Sequence, residues 1–115
     1  MSVTIYHNPK CSKSRRALEL IRERGIEPTI VEYLERPPSA SELDDIAKKL
    51  GLEPRALVRT GEAGYKASGL ADESLTREQL LLGLAAHPAL IERPIVVNGS
   101  RAVVGRPPEK VLELL

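Results

Sequence analysis

Cys11 is the one cysteine among 115 residues, and Lys10, Lys13, Arg15 and Arg16 crowd around it. With no partner for an internal disulfide, its chemistry is that of a free thiol, as nucleophile or redox group. A short apolar run, Val3 to Tyr6, ends just before it, and an amphipathic stretch begins at Ser12 or Ser14. That places the sulfur at the start of a helix, where unpaired backbone N–H groups and the helix dipole favour a thiolate. Cations there oppose the dipole. The arrangement makes sense if the missing counter-charge is an oxyanion held against the sulfur. Cys11 also lies off any apolar periodicity, which favours a reactive thiol over a small buried hydrophobe.

Neighbouring residues leave alternatives open. His7 either donates to the sulfur, orients the loop, or is a loop histidine that is solvated or bonded to a carbonyl. Asn8, before Pro9, makes an Asx turn or takes part at the site. Ser14 hydrogen-bonds the thiolate or helps to cap the helix. Three arginines stand at structural corners: Arg59 after a short helical segment, Arg93 before Pro94, and Arg106 before Pro107-Pro108. Guanidinium groups grip tetrahedral oxyanions in bidentate fashion, so convergence would make a clamp, whereas each one singly reads as ordinary surface charge.

Spacing removes several chemistries. A phosphate loop of the low-molecular-weight phosphatase type needs an arginine six positions after the cysteine, and residue 17 is Ala. Position 14 is Ser, so no Cys-x-x-Cys dithiol exists and a redox cycle must borrow an outside thiol. His7, Cys11 and the distant His87 do not form a metal-ligand set, so no metal is expected. His87 instead suits a helix end.

These residues need a scaffold, and the pattern supplies one. Val3 to Tyr6 and Thr29 to Glu32 read as strands around a helix whose apolar positions are Ala17, Leu18 and Ile21, closed by Gly25. Such a unit is a right-handed parallel βαβ. After Arg36-Pro37-Pro38, Ser39 to Glu42 is a capping box for a helix ending near Gly51. A turn of helix follows over Pro54 to Val58, and Thr76 to Gln79 caps another helix that stops at His87-Pro88. Asn98-Gly99 joins two strands, Pro94 to Val97 and Arg101 to Val104. A final helix is expected from Pro107-Pro108 to Leu115. The order βαβ, helical insert (about residues 38–90), ββα predicts a single α/β domain over 1–115 with a thioredoxin-like mixed sheet flanked by helices. In that plan the hairpin strand lies beside the first, bringing the Arg93-Pro94 corner towards Cys11.

Composition narrows the class. The chain is 42% apolar and 29% charged with a net charge of +1, so any electropositive site must be local. Three tyrosines are the only aromatic residues, which gives no platform for stacking bases and argues against nucleic-acid binding. No apolar run is long enough for a membrane span and no signal segment is evident, so a cytoplasmic protein is expected.

"YHNPKCSKSR", "RPIVV" and "GRPPE" at these separations make the chain resemble the arsenate reductase family of thioredoxin-like fold that draws electrons from glutathione and glutaredoxin, closest to a chromosomal Cys-Ser-Lys-Ser subgroup. The resemblance covers essentially the whole chain. It implies that Cys11 attacks arsenate, that Arg59, Arg93 and Arg106 bind the oxyanion, that His7 and Ser14 assist the thiol, and that Arg93-Pro94 is a cis peptide. No bound cofactor is implied; glutathione is a cosubstrate and glutaredoxin a partner. Other readings are a glutathione-dependent thioltransferase, a reductase of another oxyanion, or a regulatory binding protein of the same superfamily. The Cys-Gly-Phe-Ser loop and Gly-Gly site of the first are missing. The last usually carries a Cys-x-x-Cys pair, which Ser14 removes.

Overall fold

The computed structural model describes residues 2–115, which divide into two compact units, residues 2–36 with 93–115 and residues 37–92. The first unit is built on a four-stranded sheet in the order β2-β1-β3-β4. Strands β1 (Val3–His7) and β2 (Thr29–Glu32) are parallel and joined through α1 (Ser12–Glu23). β3 (Ile95–Asn98) runs antiparallel to β1, and β4 (Arg101–Val104) antiparallel to β3. This is the mixed sheet of the thioredoxin-like plan.

One face of that sheet is set by period-two alternation. Val3, Ile5 and His7 are buried along β1 while Thr4 and Tyr6 between them are partly exposed. Ile5 pairs with Val96, and both join a core with Ala17, Leu20 and Ile21 of α1 and with Val111 and Leu114 of the C-terminal segment. Leu18, expected among the inward positions, is only partly buried at the edge of this core. Leu20 takes the inner place because 14, 17, 20 and 21 share one stripe of the helix. Each fully buried aliphatic side chain contributes about 1.5–3 kcal/mol.

Two expectations change in detail. The C-terminal segment Pro108–Leu114 is a 3-10 helix rather than an α-helix. Its tighter winding still buries Pro108, Val111 and Leu114 at three-residue spacing. The hairpin is shifted by one residue: Asn98 pairs with Arg101 inside the ladder, and the turn is made by Gly99 and Ser100. Gly99 has φ 62° and no residue other than glycine has positive φ among the described residues, the glycine-first pattern of a type II′ turn.

The second unit is helical. α2 (Ala40–Leu50) and α3 (Arg77–Ala86) both open on complete capping boxes, Ser39 with Glu42 and Thr76 with Gln79. His87 is the C-cap of α3. Single 3-10 turns cover Pro54–Leu57 and Pro88–Leu90. Leu57, Leu70, Leu80, Leu84 and Leu90 are buried, and Leu70 fills the notch left by Gly83, where a Cβ would meet its Cδ2. No described helix is long and apolar enough to cross a membrane.

Gly105 is the tightest backbone approach in the first unit. A Cβ built there lies 2.9 Å from Pro94 Cγ and 3.2 Å from Val111 Cγ1, and neither a proline ring nor a fully buried valine yields easily. Gly105→Ala is expected to destabilise the fold by about 1–3 kcal/mol through overpacking. An unchanged urea midpoint would show that the corner has slack.

Candidate active site

Topology gathers the site at one edge of the sheet. β1 ends there at His7, and β3 begins there because the pair Tyr6–Ile95 puts Pro94 next in line, opposite His7. β4 returns to the same edge, delivering Gly105 and Arg106, and the Gly105 N–H donates to the Pro94 carbonyl at 2.8 Å. The peptides Arg93-Pro94 and Arg106-Pro107 are both cis. Parallel β2 ends there too, with Glu32 beside His7 in the ladder. Ligands of open α/β sheets sit at such carboxyl ends of parallel strands.

The loop from β1 to α1 is held by its own hydrogen bonds. Asn8 Oδ1 accepts the Lys10 N–H at 3.0 Å, an Asx turn, and the Asn8 carbonyl accepts the Cys11 N–H at 3.0 Å. Cys11 is the N-cap of α1, with φ −95° and ψ 121°, and its carbonyl takes the first helical bond, from Arg15. No side chain caps this end and no acidic residue lies in the first turn. Cys11, partly exposed, thus stands at a helix start whose first N–H groups have no partner inside the helix and no side-chain cap.

Ser14 explains how the loop stays there. It is fully buried, and its Oγ lies 2.6 Å from His7 Nδ1 and accepts the Asn8 N–H at 3.0 Å. One hydroxyl therefore ties the strand end and the loop to the helix. Its two bonds thus join it to the strand end and the loop. His7 is neither solvated nor bonded to a carbonyl through Nδ1; it is buried and serves the same clamp.

The cation cluster separates into parts. Arg15 Nη1 donates to the Pro9 carbonyl at 2.9 Å, bracing the loop. Arg16 is drawn along the helix to Glu19 and Glu23. Lys10 and Lys13 carry no ion pair among the described residues, so they remain as the cations flanking Cys11. Arg106 Nη1 donates to the Arg93 carbonyl at 3.2 Å, linking those two corners. Arg59, in the second unit, is clasped by carboxylates: Nη1 is 2.8 Å from Glu62 and Nε 3.6 Å from Glu92. Sequence reasoning missed both partners. Glu62 sits one turn on, a readable spacing, but Glu92 is brought by an antiparallel bridge of Val58 with Ile91.

Beside the loop a cleft of about 250 Å³ is bounded by His7 to Lys10 and by Glu32, Leu34 and Glu35. A larger cavity, about 450 Å³, lies in the second unit around Asp44 and Arg77 and touches none of the candidate residues. Among the described residues no group of three or more His, Cys, Asp or Glu side chains is placed to hold a metal ion.

A free cysteine at the N-cap of the first helix of a thioredoxin-like sheet, with Arg93 and Arg106 carried to the same sheet edge, defines a thiol-chemistry domain of that fold class. The chain belongs to the ArsC family, which it matches over residues 6–114. It is 51% identical, over the full length of both chains, to an arsenate reductase of Haemophilus influenzae. Identity is also 51% to the Escherichia coli protein YfgD, described as uncharacterized, covering 98% of this chain and 96% of that one. The solved structure of the arsenate reductase from Vibrio cholerae superposes with a TM-score of 0.96 at 52% identity, covering 100% of this chain and 98% of that one.

Burial sets the protonation of His7, lowering its pKa below the ordinary 6.5; Glu32 opposes this, while Arg22 and Arg15 reinforce it. The unfolded chain therefore takes up a proton near pH 6.5 that the folded site resists. Stability from this group is full above that pH and is lost as pH falls through it towards the lower folded value. Urea unfolding followed from pH about 7.5 down to about 5.5 should lose midpoint in the wild type and lose less in His7→Asn. Equal slopes would show that His7 is not the group responsible.

Proposed function

We propose that this protein reduces arsenate to arsenite through the Cys11 thiolate, with glutathione and glutaredoxin as external thiols. The observation that carries the reading is the place of Cys11 as the N-cap of α1, a helix start without a side-chain cap or an acidic residue, with Lys10 and Lys13 its near neighbours in sequence. Sulfur nucleophile and anion site then coincide, so an oxyanion supplies both the counter-charge and the electrophile. The arsenate reductases among its relatives, at about half identity over their full lengths, support the choice of arsenic.

In the proposed sequence, Sγ forms a bond to arsenic(V) and one arsenic oxygen leaves as water after protonation. The thiol of glutathione replaces a second oxygen, again releasing water. A glutaredoxin thiolate then attacks the glutathione sulfur, forming a mixed disulfide. The electron pair of the broken sulfur–arsenic bond stays on arsenic, which becomes arsenic(III). Water replaces Cys11 on arsenic, and arsenite leaves with the thiolate restored. A chain with one cysteine requires those outside thiols, because it cannot resolve the adduct itself.

Arg93 and Arg106, at the sheet edge that also carries Cys11, are proposed as oxyanion ligands together with Arg59. Pro94 fixes the Arg93 corner. His7 and Ser14 are proposed to act through the loop, as positioning residues for the sulfur, with Asn8 shaping the turn.

Arsenate-dependent NADPH oxidation in a mixture of glutathione, glutaredoxin and glutathione reductase tests the reading. Wild type should turn over, Cys11→Ser should fall to background, and Arg93→Ala should raise KM for arsenate about tenfold or more. Turnover that survives in Cys11→Ser would remove the nucleophile. A silent wild type whose Cys11 is nevertheless alkylated readily would keep the site and reject arsenate.

A further inference from the structure

The Arg59 cluster in the second unit holds more negative than positive charge. Two carboxylates, Glu62 and Glu92, address one guanidinium at 2.8 Å and 3.6 Å. All three side chains are largely withdrawn from water, with 19% of Arg59, 32% of Glu62 and 25% of Glu92 exposed. The backbone fixes the grouping. Arg59 N–H donates to the Leu90 carbonyl and Glu92 N–H to the Leu57 carbonyl, each at 2.7 Å, while the Glu62 N–H turns back to the Arg59 carbonyl. A lone anion-binding arginine has no need of two such neighbours. Stability supplies a weak reason for them, because partly exposed ion pairs contribute little.

We propose that Glu62 is a specificity-determining residue whose carboxylate, hydrogen-bonded to Arg59 Nη1, selects tetrahedral oxyanions that carry a proton over those that carry none. The inference rests on Arg59 being an oxyanion ligand, as given above. The bound anion then lies next to a carboxylate. Like charges at that separation in a partly dry site are costly unless a proton stands between them. Hydrogen arsenate and hydrogen phosphate carry an O–H that a carboxylate accepts; sulfate at neutral pH carries none. A site built around an acceptor rejects the ligand that lacks the donor, because its own group is left facing bare oxygen.

Calorimetric titration with inorganic arsenate and with sulfate, on wild type, R59A, E62Q and E92Q, decides the matter. In E62Q, sulfate affinity should rise so that preference for arsenate over sulfate falls about tenfold, since the amide offers a donor where the carboxylate repelled. E92Q, which leaves the 2.8 Å bond of Glu62 intact, should keep most of the preference. If arsenate and sulfate shift together in E62Q, the carboxylate only supports the local fold and the inference is wrong. R59A separates the layers: weakened binding of both anions upholds Arg59 as a ligand whatever E62Q does. Unchanged binding in R59A, or no binding by wild type, removes the Arg59 assignment and this inference with it. Should E62Q fail to fold by circular dichroism, Glu62→Ala reads the same preference without a side chain to place.

Discussion

The loop that carries Cys11 depends on one buried hydroxyl. Ser14 Oγ receives the Asn8 N–H and meets His7 Nδ1 at 2.6 Å, so the last residue of β1, the loop and the first turn of α1 are joined at a point. A buried polar group left unmet costs about 1–3 kcal/mol, and here the buried His7 and Ser14 satisfy each other while Ser14 also takes the partly buried Asn8 N–H. Cys11 gains its position as a by-product. With residues 7, 8 and 14 tied together and the Cys11 N–H bonded to the Asn8 carbonyl, the backbone of Cys11 is held at the N-cap.

The sheet does for the arginines what Ser14 does for the thiol. Antiparallel pairing of β3 on β1 sets Pro94 opposite His7, and the β3–β4 hairpin returns Arg106 to the same edge. The Gly105 contact with Pro94 and Val111 then joins that edge to the hydrophobic core. Core packing, strand register and the place of the charged groups are therefore one problem. A register slip of a single residue would turn His7 away from α1 and move the Arg93 corner with it.

Local rules read well where the determinants are local. Ser39 with Glu42 and Thr76 with Gln79 announced two helix starts, and each box forms with both of its hydrogen bonds. The βαβ order and the strands around Asn98-Gly99 were equally legible, apart from the one-residue shift that a glycine-first turn imposes. Contacts between distant residues were not legible. Nothing in the sequence near Arg59 announces Glu92, which arrives through a bridge between segments more than thirty residues apart. Arg16 looked like part of a charge cluster because spacing along the chain cannot say which way a long side chain turns; Glu19 and Glu23 decided it. The 3-10 winding after Pro107 sets Val111 and Leu114 in the core beside Ile5 and Val96, a contact between segments far apart in the chain.

Charge is thus divided by location instead of summed. Arg15 braces a carbonyl, Arg16 is balanced on the helix surface, Arg59 carries two carboxylates, and Lys10 and Lys13 remain beside the sulfur. The nucleophilic role proposed for Cys11 rests on the Ser14 latch, which holds its loop at the start of α1. It is tested most directly by the rate at which iodoacetamide alkylates Cys11 near neutral pH in wild type and in Ser14→Ala, with circular dichroism to show that both are folded. Alkylation should be about tenfold slower without the hydroxyl, since a loosened loop no longer holds Cys11 at the helix start. Equal rates in two folded proteins would contradict it.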